Sequence, residues 1–289
     1  MNYVFHIMTM ISLYVILGLS LNLVVGYGGM LSLAHAAFYG IGAYASTLLM
    51  MNVGLPFLLS FAVAVILVGL IAYLISIPSI RFHGDFFVLA TLGFQIIIFS
   101  VLYNWVAFTK GPYGIPGIPR PSLLGLKIIS TPVFFAFSFV LAVVVWFITH
   151  RLAKSPYGRT LEAVRDDELA ALALGKNVTR IKRSAFCIAG ALAAFAGVLF
   201  AGYASYIDPT SFTLDESVFI LCVVIIGGAG NIRGPIIGAV ILVLLPEVLR
   251  FVQMPDAIAA NMRQLIYGLL LVLMMRFRPQ GIAGKYAFD

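Results

Sequence analysis

The residues best suited to bind a polar solute lie in two glycine-rich interruptions of apolar segments, VGYGGMLSLAHA (25–36) and IGGAGNIRGPIIG (226–238). Glycines that break a helix expose backbone N–H and C=O groups, which can offset the cost of an unpaired ammonium or carboxylate in hydrocarbon. Close packing of helices through small residues explains the same glycines equally well. The candidate solute-contacting residues are Asn22, Gly28, Gly29, Ser32, His35, Thr91, Gln95, Gly227, Gly228 and Gly230.

Ionisable side chains are scarce within the apolar segments. Only His35 lies well inside one, while Glu216 and Glu247 lie near segment ends. Charges inside a membrane usually mark ion or proton pathways, so their scarcity argues against a carrier driven by protons or sodium. A role in lining a pathway remains one interpretation of His35, and a single polar group satisfied between helices is the other.

The sequence carries no motif for covalent or metal-assisted chemistry. It contains no G-x-x-x-x-G-K-[ST], no H-E-x-x-H and no cluster of Cys and His, so neither a phosphate-binding loop nor a metal site is indicated. We therefore predict no catalytic residue, no metal and no cofactor. Any energy from ATP has to come from a separate protein that binds the nucleotide.

Long apolar segments must position these residues. Of the 289 residues, 62% are apolar and 10% are charged, and the mean hydropathy is +1.07. From Met1 to Ile80 there is no Asp, Glu, Lys or Arg, which a soluble protein could hardly accommodate. We predict an all-α, polytopic transmembrane bundle of about 8–10 spans, formed by a single domain over 1–289. The candidate spans are 4–25, 29–51, 55–78, 85–108, 131–149, 184–206, 216–229, 235–252 and 262–276.

Basic residues are concentrated in the one long polar stretch, 150–183. The positive-inside rule assigns this stretch to the cytoplasm, with the N-terminus outside and the C-terminus inside. Because the Lys and Arg residues lie between apolar runs, the net charge of +7 does not indicate nucleic-acid binding. The other basic residues assigned to the cytoplasm are Arg81, Arg233, Arg276, Arg278 and Lys285.

The longest stretch assigned to the outside, 109–130, reads TKGPYGIPGIPRPSLLGLKIIS. Its interleaved prolines and glycines exclude a helix and favour an extended, turn-rich structure. It is either a simple linker or the lip of an outer vestibule that contacts a delivered substrate carrier.

Within the cytoplasmic stretch, the sequence predicts a short capped helix from Leu169 to Leu174. Asp166 or Asp167 can cap its start, and the acidic residues there suit the positive end of the helix dipole. Gly175 is placed to end it in a left-handed conformation. Such a helix exposes small apolar side chains and suits insertion into a groove on a partner, although packing against its own protein or lipid headgroups is an alternative.

This helix resembles the coupling helix of ATP-binding cassette (ABC) importer permeases, in which Glu-Ala-Ala is followed by three residues and Gly. Ala170, Ala171 and Gly175 match that spacing, but Leu169 stands where the family has Glu and Glu168 comes one residue earlier. The resemblance implies that the segment docks on ATPase subunits. The implied coupling residues are Arg165, Asp166, Asp167, Glu168, Leu169, Ala170, Ala171 and Gly175.

Six segments in order resemble branched-chain amino acid ABC permeases, and among these the M-type subunit. They are LSLNLVVGYGGMLSLAHAAFYGIGAY (19–44), GDFFVLATLGFQ (84–95), KGPYGIPGIP (110–119), AVRDDELAALALGKNVTRIKRSAF (163–186), IIGGAGNIRGPIIGA (225–239) and MRFRPQGIAG (275–284). The resemblance implies an inner-membrane subunit of a bacterial type, in which the solute-contacting candidates above line a translocation pathway.

The implied partners are a second, H-type permease, two cytoplasmic ABC ATPases and an extracytoplasmic substrate-binding protein. The implied substrate is a branched-chain or other neutral amino acid, with urea or short amides as the alternative. A stand-alone carrier or channel is the rival class, and the coupling-type helix argues against it.

Overall fold

The computed structural model describes residues 2–82, 84–123, 126–128, 130–250, 256–278 and 280–284. Helices dominate this part of the chain because apolar segments in lipid must satisfy their backbone hydrogen bonds internally. Its α-helices are α1 (Asn2–Asn22), α2 (His35–Asn52), α3 (Phe57–Ser79), α4 (Asp85–Asn104), α5 (Val106–Thr109), α6 (Thr131–Lys154), α7 (Pro156–Asp166), α8 (Glu168–Ala173), α9 (Val178–Ala204), α10 (Leu214–Gly227), α11 (Arg233–Arg250) and α12 (Asp256–Phe277).

Each of the nine candidate spans overlaps one long helix. Six helical stretches within the described residues are long and apolar enough to cross a membrane: Asn2–Tyr27, Phe57–Ser79, Asp85–Asn104, Thr131–Lys154, Val178–Ala204 and Pro209–Gly227. The remaining three candidate spans correspond to α2, α11 and α12. The prediction of an all-α, polytopic bundle is confirmed.

The centre of the bundle is formed by α1, α2 and α9. In α1 and α9, 72% of the residues in the apolar 18-residue stretch are buried, against 22% in α4 and α6. Glycine permits the closest contact, because a Cβ on Gly197 of α9 would lie 2.2 Å from the Tyr39 carbonyl oxygen of α2. Helices in lipid associate through such small residues, which let their backbones approach.

The two ends of the bundle carry different elements. One end, which we call the basic face, carries α7, α8 and the start of α9. The opposite end, the loop face, carries the 109–130 stretch, where Ile115–Pro116 pairs antiparallel with Tyr206–Ile207. The stretches 150–183 and 109–130 therefore lie on opposite faces, as the sequence predicts.

The structure of the 109–130 stretch is mostly as predicted. Ser122–Leu123 and Leu126–Lys127 form a second short antiparallel pair, and Gly111, Gly114 and Gly117 all have positive φ. The exception is a single 3-10 turn over Gly111–Tyr113. Positions 124, 125 and 129 of this stretch, and Lys285 of the topology prediction, lie outside the described residues.

Candidate functional site

The short helix of the basic face begins where Asp167 caps it. The Asp167 carboxylate accepts a hydrogen bond from the Ala170 N–H at 2.9 Å, and the Asp167 backbone is extended at φ −153°. Of the two aspartates proposed as caps, Asp167 is therefore the cap, whereas Asp166 forms a salt bridge with Arg165 at 2.7 Å.

The same helix ends at Gly175 in a Schellman motif. Gly175 has φ +74°, its N–H donates to the Leu172 carbonyl at 2.9 Å, and the Lys176 N–H donates to the Ala171 carbonyl at 3.1 Å. These two bonds satisfy carbonyl groups that a helix end otherwise leaves unpaired. The prediction that Gly175 ends the helix is confirmed.

The exposed surface of α8 is formed by leucines rather than by the paired alanines. Leu169 is 79% exposed, Leu172 51% and Leu174 78%, and we call these three residues the leucine surface. Ala170 is also exposed, but Ala171 is buried and packs against Val164 of α7 and Val178 of α9. The expectation that the helix exposes its small apolar side chains is therefore wrong for Ala171, because the preceding helix covers that side.

That preceding helix, α7, is absent from the sequence predictions. Its local signal is Ser155 followed by Pro156, since the Ser155 hydroxyl accepts from the Gly158 N–H at 3.3 Å and proline suits the first helical position. Leu161 and Val164, three residues apart, form its buried stripe.

Two polar contacts hold the α7–α8 pair against α9. The Tyr157 hydroxyl lies 2.9 Å from the Ser184 hydroxyl, and burial raises the pKa of Tyr157, so its proton remains available for donation. Lys182 of α9 forms a salt bridge with Glu168 of α8 at 2.5 Å. The leucine surface is consequently presented on a fixed frame.

Arg165, at the end of α7, links this frame to the first glycine-rich interruption. Its Nη1 donates to the Gly26 carbonyl at 2.8 Å, and its side chain passes so close to Gly29 that a Cβ there would lie 2.6 Å from the Arg165 Cγ. Gly29 also has φ +65°. A larger residue at position 29 would displace the arginine and adopt an unfavourable conformation.

The first interruption is a break between α1 and α2. A π-helical turn, Leu23–Tyr27, continues α1, and α2 starts only at His35. The second interruption follows α10, where Gly228 has φ +115° and Gly230 has φ +73°. The sequence predicts paired helix breaks, and both are present on the basic face.

Asn22 joins the two breaks. Its side-chain amide donates to the Asn231 carbonyl at 3.1 Å, and its side-chain oxygen accepts from the Gly230 N–H at 3.1 Å. Asn22 is 1% exposed; its bond to Gly230 is buried, and its bond to Asn231 is partly buried. Nothing in the sequence alone pairs Asn22 with a residue more than two hundred positions away.

The segment that follows α12 closes the second break from the other side. The Ile282 N–H donates to the Ile226 carbonyl at 3.0 Å and the Ala283 N–H to the Gly227 carbonyl at 2.9 Å. Asn231 donates in turn to the Ala283 carbonyl at 2.6 Å. The expectation that backbone groups of this break stand free for a solute is therefore wrong for Gly227 and Gly230, whose groups bond within the protein.

Four of the five polar side chains proposed as solute-contacting residues, all except Asn22, come together at the start of α2. Thr91 accepts from the Leu33 N–H at 3.1 Å, and Gln95 accepts from the Ala37 N–H at 2.7 Å. Ser32 accepts from the Ala34 N–H at 3.3 Å, and His35 Nε2 lies 2.7 Å from the Ser20 hydroxyl.

Gln95 satisfies an N–H group that the first turn of α2 leaves unpaired, Thr91 and Ser32 satisfy those of the two residues before the helix, and His35 is satisfied by Ser20. All four are at most 1% exposed. Within this single chain, the arrangement favours the interpretation of His35 as a satisfied polar group between helices. Ser217, which the sequence analysis did not select, belongs to the same cluster because its hydroxyl accepts from the Ala36 N–H at 2.9 Å.

A cleft of about 370 Å³ opens on the basic face beside the first break. Of the proposed pathway residues, Gly28 and Gly29 line it, and the four clustered polar side chains do not. Its charged lining residues are Asp85, Arg165, Glu168 and Lys182. Within the described ranges, no group of three or more His, Cys, Asp or Glu side chains could hold a metal ion.

The fold and the long apolar helices define a polytopic, α-helical membrane protein. Residues 3–275 match the family described as branched-chain amino acid transport system / permease component, and the chain belongs to this family.

Three relatives show how closely the chain resembles other members. It is 39% identical to the high-affinity branched-chain amino acid transport system permease protein LivM of Salmonella typhimurium, over 96% of this chain and 69% of the relative. The protein of the same name from Escherichia coli is 38% identical over the same shares. The permease protein LivH of Salmonella typhimurium is 28% identical, over 97% of this chain and 94% of the relative. No solved structure matches the chain.

Proposed function

We propose that this chain is the membrane-spanning permease subunit of an ATP-driven importer for branched-chain amino acids. It forms half of the translocation pathway with a second, related permease, and it couples that pathway to two cytoplasmic ATPase subunits that bind and hydrolyse ATP. A soluble binding protein delivers the substrate on the loop face. The observation that carries the proposal is the continuous contact from the leucine surface, through Arg165, to both helix breaks.

The leucine surface supports docking to an ATPase subunit. Two large apolar side chains stand exposed on a six-residue helix and a third follows directly after it, and nothing about spanning a membrane requires that helix. Exposed apolar patches rimmed by charge are typical of protein interfaces. Leu169 and Leu172 lie three residues apart on one side of α8, so they can enter a single groove.

Arg165 supports transmission of movement from the docked helix to the membrane domain. The salt bridge between Lys182 and Glu168 makes α8 move with the start of α9, and the Arg165 bond to the Gly26 carbonyl connects α7 with the end of α1. The break at Gly26 is a π-helical turn, a feature that often marks functional sites in helices. A shift of α8 would therefore act on a point where α1 is easily deformed.

Asn22 extends this connection to the other half of the chain. Because it bonds both Gly230 and Asn231, displacement of the end of α1 would also displace the loop after α10. Movement of paired helix breaks is a general way in which transporters open a site to one side of the membrane.

The substrate class rests on the names of the relatives and is supported by the cleft. The relatives named above are branched-chain amino acid permeases. The cleft carries both acidic and basic side chains beside Gly28 and Gly29; Glu168 and Lys182 pair with each other, and a lining of balanced charge suits a zwitterion better than a simple ion.

The proposed location is the inner membrane of a bacterial-type cell, with the N-terminus outside and the basic face in the cytoplasm. The clustering of Lys and Arg between 150 and 183 supports this orientation. The similarity of this chain to both LivM and LivH supports pairing with a related H-type permease, since two such subunits would have matching architectures.

The proposal is tested by reconstitution with a second permease, two ATPases and the binding protein in vesicles. Leucine, isoleucine and valine should stimulate ATP hydrolysis and enter the vesicles, whereas urea and acetamide should not. Stimulation by urea or acetamide alone would transfer the assignment to the amide alternative. Uptake without the ATPases would show that the chain is a stand-alone carrier.

A further inference from the structure

A second pocket on the basic face lies away from the leucine surface, between α3 and the start of α9. Its volume is about 690 Å³. Its polar and charged side chains belong mainly to the first two turns of α9, and Tyr73 of α3 forms the opposite wall. The lining residues are Tyr73, Asn177, Thr179, Arg180, Arg183, Ser184, Cys187 and Ile188.

The two arginines of this pocket lack anionic partners. Neither Arg180 nor Arg183 forms a salt bridge with any residue in the described part of the chain. The Nε atom of Arg183 is buried and has no hydrogen-bond partner among the described residues. A buried guanidinium N–H without an acceptor is costly, so Arg183 would gain from a reorientation toward a hydrogen-bond acceptor in the pocket.

The position of the pocket in the helix adds to its attraction for anions. Arg180 and Arg183 lie in the first two turns of α9, which begins at Val178 and runs for 27 residues. The first turn of a helix carries partial positive charge, and because the Asn177 side chain already accepts from the Arg180 N–H at 3.0 Å, the attraction rests mainly on charge. A phosphate group placed there would meet two guanidinium groups and the Thr179 hydroxyl.

An apolar path leads out of the pocket along α3. Tyr73 is 41% exposed, and Leu70 and Ile66, one and two turns nearer the loop face, are 58% and 71% exposed. This strip covers roughly 10 Å along α3, given a rise of about 1.5 Å per residue. Cys187 of α9 donates to the Gly69 carbonyl of α3 at 3.2 Å. This bond holds the two helices together at the end of the pocket nearer the loop face.

We propose that this pocket binds the headgroup of an anionic phospholipid, with the phosphate between Arg180 and Arg183 and an acyl chain along Leu70 and Ile66. Free phosphate shares the headgroup chemistry, but it has no use for the apolar strip. Basic pockets at the cytoplasmic ends of transmembrane helices are suited to anionic lipids, and a tyrosine at the same level suits the membrane interface.

The test compares lipid retention by the full-length chain, purified in mild detergent, in native mass spectrometry. Phosphatidylglycerol should be retained by the wild-type chain and phosphatidylcholine should not. The variant Arg180→Gln/Arg183→Gln should retain phosphatidylglycerol about 25-fold less well, because each basic side chain near the surface contributes roughly a factor of five. Arg180→Lys/Arg183→Lys, which keeps both charges, should retain most of the binding.

A matched control removes the same charge elsewhere on the basic face. Lys154→Gln/Arg159→Gln changes two exposed residues that do not line the pocket, and it should bind phosphatidylglycerol as the wild type does. Equal losses in both double variants, or equal retention of phosphatidylcholine, would overturn the proposal. A competition assay distinguishes a lipid site from a free-anion site. If 10 mM inorganic phosphate displaces bound phosphatidylglycerol as well as 10 mM of the soluble headgroup does, the pocket is a free-anion site and the proposal is overturned.

Discussion

Replacing Asn22 by leucine removes the one side chain that bonds across both helix breaks and keeps the side-chain volume similar. The Gly230 N–H and the Asn231 carbonyl, each 3.1 Å from the Asn22 amide, then lose a partner, the first at a buried site and the second at a partly buried one. A buried polar group without a partner costs about 1–3 kcal/mol and a partly buried one costs less, so the two together should lower the free energy of unfolding by about 2–4 kcal/mol.

The measurement is equilibrium unfolding of the purified chain in mixed micelles, together with hydrogen exchange over 226–231. Asn22→Leu should unfold at a lower denaturant fraction, and amide exchange at the second break should accelerate. The matched control is Asn104→Leu, because Asn104 is exposed and, among the residues that the structure describes, its side chain bonds only to the Ser100 carbonyl one turn earlier. Its effect should stay within about 0.5 kcal/mol. If the two variants behave alike, Asn22 does not join the breaks and the proposed transmission through α1 fails.

Three further predictions follow from the basic face. Arg165→Met should leave ATPase subunits bound but abolish substrate stimulation of ATP hydrolysis, because the α7–α8 pair loses its bond to the end of α1. Unchanged stimulation would contradict the proposed link between Arg165 and α1. Gly175→Ala should lower the free energy of unfolding by about 1–2 kcal/mol, since an L-residue at φ +74° is strained. The control is Gly93→Ala, because Gly93 is equally free of contacts but lies inside α4. In the same assay it should leave the free energy of unfolding unchanged or raise it by up to about 1 kcal/mol. Single cysteines at Ser155 and Gly117 should react with an impermeant thiol reagent from opposite sides of the membrane, and labelling from one side would refute the topology.

Local signals in the sequence place both ends of α8 to within about one residue. Asp167 caps α8 and Gly175 ends it through bonds that reach only a few residues along the chain. Such short-range chemistry depends on residue type and spacing alone. The long apolar runs were equally informative, because a segment surrounded by lipid has few alternatives to a helix.

Long-range contacts limited the rest of the prediction. The outward orientation expected for Ala171 depended on whether another helix covers α8, and α7 does so through Val164. The groups of Gly227 and Gly230 are satisfied by Ala283 and Asn22, which lie far away in the chain. A single sequence indicates which residues can form such bonds, but not which distant residue takes the available partner.

The orientation of Ala171 also changes how docking must be tested. A large residue at this buried position would disturb the packing between α7 and α9 within the chain itself, and lost ATPase binding would then have two explanations. The leucine surface offers a cleaner substitution, because Leu169 and Leu172 are exposed and a change there leaves the internal packing intact.

Co-purification of the ATPase subunits with Leu169→Glu/Leu172→Glu tests the central claim most directly. The matched control is Tyr113→Glu, which alters a side chain of similar exposure, 81%, on the loop face. Both variants should insert in the membrane and pair with the second permease. The double variant should recover at least about tenfold less ATPase than the wild type, since burying two unpaired carboxylates in an apolar groove is strongly unfavourable, and the control should recover the wild-type amount. Full recovery of the ATPases with Leu169→Glu/Leu172→Glu, together with full substrate-stimulated ATP hydrolysis, would contradict the assignment of α8 as the coupling helix.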